Sequence, residues 1–405
     1  MIRVQEKLFR FLLKERQISI VSGEIMEIKE LRDQIDKIDS ELVRLYTERM
    51  TVSSQIADYK RENNLPVLDH KRERELLAKI STLAGPELER YARILYESIL
   101  ATSRAYQDKK LGSASELCEK IAYASENTQK LFPECATVAC QGVEGAYSQI
   151  AAESLFRLPS ISYYKTFDDV FSALDAGECK YAVLPVENST AGTVNKVYDL
   201  MRSHKFYIVR SVRIRIEHNL FALPGTKISD IREIVSHEQA LSQSAGYIAS
   251  LENVKATPVL NTAIAAEMVK NSGRHDLAAL SSRSCGDIYG LECLASSVQD
   301  RGANYTRFVC ISKDLEIYPG SDRTSFMMVI SHRPGSLYRI LSKLNASGIN
   351  MRKLESRPQP DKDFQIMFYL DADLSMYSPE LPILLTELEG ECEDLRYLGT
   401  YSEEF

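Results

Sequence analysis

No run of apolar residues in this chain approaches the ~18 that a membrane-spanning helix requires, so nothing in it reads as a bilayer segment. The cysteines form no C-x-x-C pair and no histidine cluster accompanies them. The eight stand apart at 118, 135, 140, 179, 285, 293, 310 and 392. That argues against a metal site and fits unpaired thiols in a reducing compartment, the cytoplasm. An excess of positive charge is also missing. The formal net charge of −7 disfavours DNA or another polyanion as partner. It leaves a small anionic substrate open, because local arginine clusters decide that. No G-x-G-x-x-G occurs, so a dinucleotide fold is not indicated. Between Glu24 and Asn64 there is neither glycine nor proline, and the chain there has nothing to interrupt a helix.

What is present fills two to four domains, because 405 residues are too many for one hydrophobic core. Residues 1–25 are basic and mildly amphipathic without the apolar centre of a signal peptide. They suit a short extra helix, or an upstream stretch if translation begins at Met26. From 26 to 111 the pattern is helical: Leu31, Ile35, Ile38, Leu42, Leu45 and Met50 recur three to five residues apart. A first helix is expected over 28–62 and is broken at Pro66. A second runs over 69–82, and a third over 87–110 follows the Gly85-Pro86 turn. A helix of that length cannot bury its stripe against two short ones, so an intertwined dimer, or a higher even oligomer, is expected.

Residues 112–134 have a linker's composition, with some helix permitted. From 135 to 313 short apolar strands (VACQG, YAVLPV) alternate with helical stretches, and RSVRIRIEHNLFAL alternates like one strand. This predicts an α/β region large enough for two lobes and a cleft. Over 323–400 the order strand, helix, strand, strand, helix, strand predicts a ferredoxin-like α+β domain. There MRKLESRP and FQIMFYLDAD pair around a turn at Gln359–Asp363, and the last helix stops at Gly390.

On the first helix, Arg49 and Lys60 lie eleven residues apart and share a face, whereas Arg32 points elsewhere and would serve a neighbouring chain more easily. Asp69, Arg72 and Glu73 share a face of the second helix, as do Ser103 and Gln107 on the third. Taken alone, a solvated charged face laced with ion pairs would also account for them. The stretch LRDQIDKIDSELVRLYTERM followed by PVLDHKRERELL, however, resembles the all-helical chorismate mutases, with the family's site spacing kept from Arg32 to Gln107. The resemblance implies a cofactor-free pericyclic rearrangement. Arg49 and a partner's Arg32 would clamp the carboxylates, with Arg72 and Ser103 lining that end. Lys60 and Gln107 would donate to the breaking ether oxygen, and Glu73 and Asp69 would hold the ring hydroxyl and nearby backbone.

Three motifs mark the α/β region: GVEGAYSQIAA, PVENSTAGTV and NYTRF. Each has a plain structural reading as a turn or a helix cap. Together with SHEQALSQS and IYGL they resemble the prephenate dehydratases, whose fold is that of two-lobed type II periplasmic binding proteins. The resemblance implies Thr306 as donor to the leaving hydroxyl, with Arg307 and Phe308 shaping the pocket. Glu187, Asn188 and Ser189 would form the cleft floor, facing Ser236 and Gln243. His237 is second choice as an acid. In the tail, RPGSLYRIL and ESRP resemble the two ligand motifs of an ACT amino-acid-sensing domain. That implies phenylalanine as effector at Gly335, Ser336, Leu337, Glu355, Ser356, Arg357 and Pro358. Gly-Ser-Leu-Tyr replaces the usual Gly-Ala-Leu-Val, which puts the strength of inhibition in question.

These resemblances together predict a bifunctional enzyme of phenylalanine biosynthesis. A mutase fused to a dehydrogenase is disfavoured by the missing dinucleotide fingerprint. A mutase-only enzyme, or a ligand-sensing regulator without turnover, would be told apart by assay.

Overall fold

The computed structural model describes residues 19–21, 24–26, 28–63, 65, 69–111, 116–300, 302, 304–358 and 366–404. The chain divides into two compact units, residues 1–113 and 114–405.

In the first unit a hairpin of β1 (Ser19–Val21) and β2 (Glu24–Met26) precedes α1 (Ile28–Glu62). Part of the segment expected to be a short helix is therefore strand, and the rest of it lies outside the described residues, as does Pro66. The second helical stretch, α2 (His70–Leu111), is interrupted at Gly85, whose φ of 73° and ψ of 168° no helix accommodates. The break falls at the expected Gly-Pro step. Only Ser53, Ser54 and Ala57 of α1 are buried. Ile35, Ile38 and Leu42 remain 55%, 59% and 53% exposed, and Leu83 and Tyr91 on α2 remain 71% and 67% exposed. The single chain leaves its apolar stripe uncovered.

The second unit begins with α3 (Glu116–Asn127), so the expected linker is largely helix. Its Ile121 and Ala124 are buried in the core of the C-terminal domain, which explains why a polar-looking segment is ordered. One lobe is then built from β3 (Cys135–Gln141), α4 (Tyr147–Leu155), β4 (Leu158–Tyr164), α5 (Phe167–Ala176), β5 (Tyr181–Asn188), β6 (Gly192–Thr193), α6 (Asn195–Ser203) and β7 (Tyr207–Arg215). The chain crosses at residues 216–218 into a second lobe. That lobe holds β8 (Asn219–Ala222), β9 (Glu233–His237), α7 (Glu238–Gln243), α8 (Ala245–Ala249), β10 (Lys255–Val259), α9 (Thr262–Ser272), β11 (Leu277–Ser281), α10 (Arg283–Tyr289) and β12 (Glu292–Ala295). It returns through β13 (Tyr305–Ser312) to the first lobe. RSVRIRIEHNLFAL is thus two strands in two lobes. The sheet of the second lobe has the order β10-β9-β11-β8-β12.

The C-terminal domain runs β14 (Arg323–Ile330), α11 (Ser336–Ala346), β15 (Met351–Pro358), β16 (Ile366–Ala372), α12 (Glu380–Glu391), β17 (Cys392–Tyr401). Its antiparallel sheet, in the order β15-β16-β14-β17, is the expected ferredoxin-like arrangement. The turn expected at 359–363 lies outside the described residues. Gly390 does not end α12; it sits exposed in the last turn and the helix runs on to Glu391. Nor does the chain end with this sheet. A last strand, β18 (Glu403–Glu404), joins the first lobe, whose sheet has the order β18-β7-β13-β5-β3-β4, with β6 paired to β5.

The period-2 alternation of β14 fixes how the two domains meet. Met327 and Val329 join Phe171, Tyr198 and Met201 in one core with the first lobe, while Phe326, Met328 and Ile330 face α11 and α12. At Gly399 (φ 137°) a Cβ would stand 2.2 Å from the carbonyl oxygen of Ile208 on β7, so only glycine allows that approach.

Candidate active sites

In the helical unit, Arg49 donates a hydrogen bond to the buried Ser103 Oγ, joining α1 to the far end of α2. Asp69 Oδ1 accepts the Arg72 N–H at 3.0 Å and caps the start of α2. That bond, helped by nearby Lys60, holds the Asp69 carboxyl below its usual range. Glu73 takes an ion pair from Arg104 at 2.5 Å. Gln107 is buried, and its Oε1 has no hydrogen-bond partner among the described residues. The two helices therefore gather Arg49, Ser103, Gln107, Lys60, Asp69 and Glu73, while the Arg72 side chain is exposed. Arg32 sits roughly 25 Å along α1 from Arg49, too far to share its site within one chain. Arg104 was not anticipated, although its i, i+3 relation to Gln107 was available as a clue.

In the α/β unit a cavity of about 350 Å³ opens between the lobes, lined by Asn188, His218, His237, Gln243, Thr306 and Phe308 among others. Asn188 Nδ2 donates to both Thr306 Oγ1 and Asn304 Oδ1 at 2.8 Å. Its Oδ1 accepts from the N–H groups of Thr190 and Ala191 at 3.0 and 2.9 Å, locking the amide's orientation. Asn304 Nδ2 then donates to Gln243 Oε1 at 2.9 Å, and His218 Nε2 bonds the same oxygen at 3.0 Å. Thr306 accepts in this network, and its own proton has no acceptor among the described residues. Burial depresses the His218 pKa, so the imidazole is neutral at pH 7, with Nδ1 buried and unpartnered among the described residues.

Among the described residues no lysine or arginine lines this cavity. Anion-binding character comes instead from the starts of α4 and α9, at Tyr147-Ser148 and Asn261-Thr262. Asn261 caps α9 through Oδ1 (2.7 Å to the Ile264 N–H) and leaves Nδ2 buried without an acceptor among the described residues. Gly145 (φ 88°) makes the turn into α4 fit: a Cβ would lie 2.6 Å from Cys285 Sγ. Asn304 sits in the NYTRF motif, His218 in the inter-lobe crossing and Asn261 at a plain Asn-Thr cap. None of the three stood out by composition.

Two family models match the chain: chorismate mutase type II over residues 31–108 and prephenate dehydratase over 138–316. The bifunctional chorismate mutase/prephenate dehydratase of Aquifex aeolicus is 30% identical over 93% of this chain and 98% of its own length. The chain belongs to the bifunctional chorismate mutase/prephenate dehydratase family. It rearranges chorismate to prephenate and dehydrates prephenate, with decarboxylation, to phenylpyruvate on the route to phenylalanine. An Arabidopsis thaliana arogenate dehydratase/prephenate dehydratase is 34% identical over 74% of this chain and 81% of its own. The solved prephenate dehydratase of Arthrobacter aurescens, in complex with L-Phe, is 26% identical with a TM-score of 0.61. It covers 66% of this chain and 89% of its own.

Within the dehydratase region several expected cleft residues face elsewhere. Thr306 and Arg307 are neighbours on a strand and must point to opposite faces. Arg307 accordingly leaves the cleft, pairs with the buried Asp371 of β16 and donates to Tyr401 Oη at 2.6 Å. Glu187 likewise turns from Asn188 and meets Lys353 of β15 at 3.3 Å. Ser189 Oγ accepts the Tyr305 N–H at 2.9 Å, tying β5 to β13. Ser236 is fully buried and donates to the Leu280 carbonyl at 2.7 Å, a bond between strands. His237 caps α7 by accepting the Gln239 N–H on Nδ1, so that nitrogen carries no proton to give.

In the C-terminal domain Gly335 (φ 83°) opens α11, with Ser336 buried and bonded to Ser331, and Leu337 packs on the helix-covered core. Glu355 accepts from Thr193 Oγ1 at 2.9 Å, and Arg357 holds Asn195 and Asp199 at 2.6 and 2.7 Å. These two ESRP side chains grip the first lobe, just after PVENSTAG, while Ser356 and Pro358 are exposed.

Proposed function

We propose that Thr306 delivers the hydrogen bond that lets the ring hydroxyl of prephenate depart, with Asn188, Asn304, Gln243 and His218 holding it in place. The observation that carries this reading is the acceptor-only role of Thr306 in that network. With Asn188 Nδ2 fixed on its oxygen, the hydroxyl hydrogen is directed away from Asn188 and into the cleft. As the ring carboxylate leaves as carbon dioxide, its bonding electrons enter the ring and expel hydroxide, and aromatisation drives the step. A threonine hydroxyl is a poor acid, so it supports the developing charge rather than surrendering a free proton. The substrate carboxylates are met by the starts of α4 and α9 and by Asn261 Nδ2, and Phe308 bounds the ring.

In the mutase unit, the preformed Arg49–Ser103 pair receives one carboxylate, and Arg32 of a second copy receives the other. Lys60 and Gln107 serve the ether oxygen, and Glu73 and Asp69 serve the ring hydroxyl and backbone. The uncovered stripe of Ile35, Ile38 and Leu42 supports the intertwined dimer that would bring the second Arg32. The ferredoxin-like domain is read as an ACT domain that binds phenylalanine at Gly335–Leu337 and ESRP. The L-Phe complex of the Arthrobacter relative supports this. All eight cysteines are free, as a cytoplasmic protein requires.

Incubating chorismate with the full chain, with and without millimolar phenylalanine, tests the scheme. Phenylpyruvate formed and then suppressed by phenylalanine is expected. Formation indifferent to phenylalanine would remove the effector assignment, and accumulation of prephenate alone would remove the cleft assignment.

A further inference from the structure

On the other face of β5 and β13, behind the cleft, lies a second cavity of about 340 Å³. Arg213, Arg307, Arg323, Arg352 and Lys353 converge on it, with Glu187 at its edge. They come from β7, β13, β14 and β15, so the cavity is walled jointly by the first lobe and the ferredoxin-like domain. Among the described residues four carboxylates form ion pairs with these five cations. Glu403 pairs with Arg213 and Arg323, Asp371 with Arg307, Glu187 with Lys353 and Asp373 with Arg352.

Not every donor in the cluster is met. A guanidinium presents five N–H groups, and the Nε groups of Arg307 and Arg323 are buried with no hydrogen-bond acceptor among the described residues. Both side chains are more than nine-tenths buried, at 7% and 8% exposure. Unpartnered charged donors in such a place are costly unless an acceptor arrives. Burial and the neighbouring Arg307 also depress the pKa of Arg213 and Arg323, the signature of cations crowded together. The chain itself shows what acceptor suits them, because the Glu403 carboxylate already sits against three of these arginines.

We propose that this cavity is a binding site for a small oxyanion, carboxylate or phosphate, held by Arg213, Arg307, Arg323, Arg352 and Lys353. It is separate from the cleft. Its ligand touches the residues adjacent in sequence to Asn188 and Thr306, so occupancy bears on the strands that carry the dehydratase network.

The test uses the full-length protein with sodium phosphate or sodium malonate as probe, each against sodium chloride at matched ionic strength. Thermal unfolding and titration calorimetry provide the readouts. A saturable rise in Tm with a millimolar midpoint is expected for phosphate, malonate or both, and which of them saturates assigns tetrahedral or paired-carboxylate chemistry. R352Q, whose side chain is 50% exposed and packs little, is expected to weaken binding at least fivefold, as is R323Q. Far-UV circular dichroism checks the fold of both variants. No saturable effect beyond chloride would overturn the proposal, as would undiminished binding in R352Q and R323Q. Phosphate that competes with prephenate equally well in wild type and R352Q would also overturn it, because the ion would then sit in the cleft.

Discussion

Replacing Thr306 with valine keeps the shape of the side chain and removes its one hydroxyl. In the folded protein that hydroxyl is an acceptor for Asn188 Nδ2, which also donates to Asn304 Oδ1 at the same 2.8 Å. The amide has two N–H groups, each with its own acceptor, so the valine leaves one buried N–H unmet at a cost of about 1–3 kcal/mol. For a cooperative unit the size of residues 114–405, unfolding with ~2.1 cal/mol/K per residue, that is roughly 2–5 °C in Tm. Catalysis should respond far more strongly. A preorganised donor aimed at developing oxygen charge is worth about 100- to 1,000-fold in kcat. Prephenate turnover, followed as phenylpyruvate absorbance in base, should fall by that factor with KM little changed. Chorismate consumption by the helical unit serves as an internal control and should be unaffected. T306S should recover most of the lost rate. If T306V retains kcat within about threefold of wild type, the donor role is wrong and Thr306 only spaces the network.

K60A should reduce mutase kcat by about 100-fold or more through loss of a charged donor at the ether oxygen, with dehydratase turnover and circular dichroism unchanged. G399A should destabilise the second unit by about 1–3 kcal/mol, since a Cβ forces β17 away from β7, and urea unfolding would show a lowered midpoint. D371N should cost about 3–5 kcal/mol by stranding the buried Arg307 guanidinium, read as a fall in the urea midpoint. The depressed pKa of His218 sets a pH dependence: its folded pKa lies below its unfolded value near 6.5. Its contribution to stability is then complete above pH ~6.5 and lost as pH falls toward the folded pKa. H218N should flatten the slope of urea midpoints between pH ~7 and ~5, and an unchanged slope would clear His218 of that role.

Much of this was legible in the residues. The absence of glycine and proline over 25–63 foretold α1, and the Gly-Pro step foretold the break in α2. The order of patterned segments gave the ferredoxin-like domain. Where the reading went astray, the physics is specific. TRF and ENS read as blocks in the sequence, yet adjacent strand residues face opposite ways, so Arg307 and Glu187 do not join Thr306 and Asn188 in one cleft. That much the strand period alone could have said. The break in RSVRIRIEHNLFAL was harder to see. Ile216 and His218 are both buried as the chain passes between lobes, so the alternation carries on where the sheet does not. The helix at 116–127 was hidden because it owes its order to a domain more than two hundred residues away. Asn304, His218 and Asn261 act through hydrogen bonds across lobes, which no local pattern records.

The alternation along β14 has a practical corollary for anyone who would take this protein apart. Met327 and Val329 complete the interior of the first lobe, and β18 finishes the edge of its sheet. A cut near residue 315 would therefore strand an oily surface on both fragments instead of freeing a tidy sensor. The second unit should melt in one calorimetric transition. Grafting a different sensor onto this catalyst would require transplanting the lobe-facing half of its sheet as well.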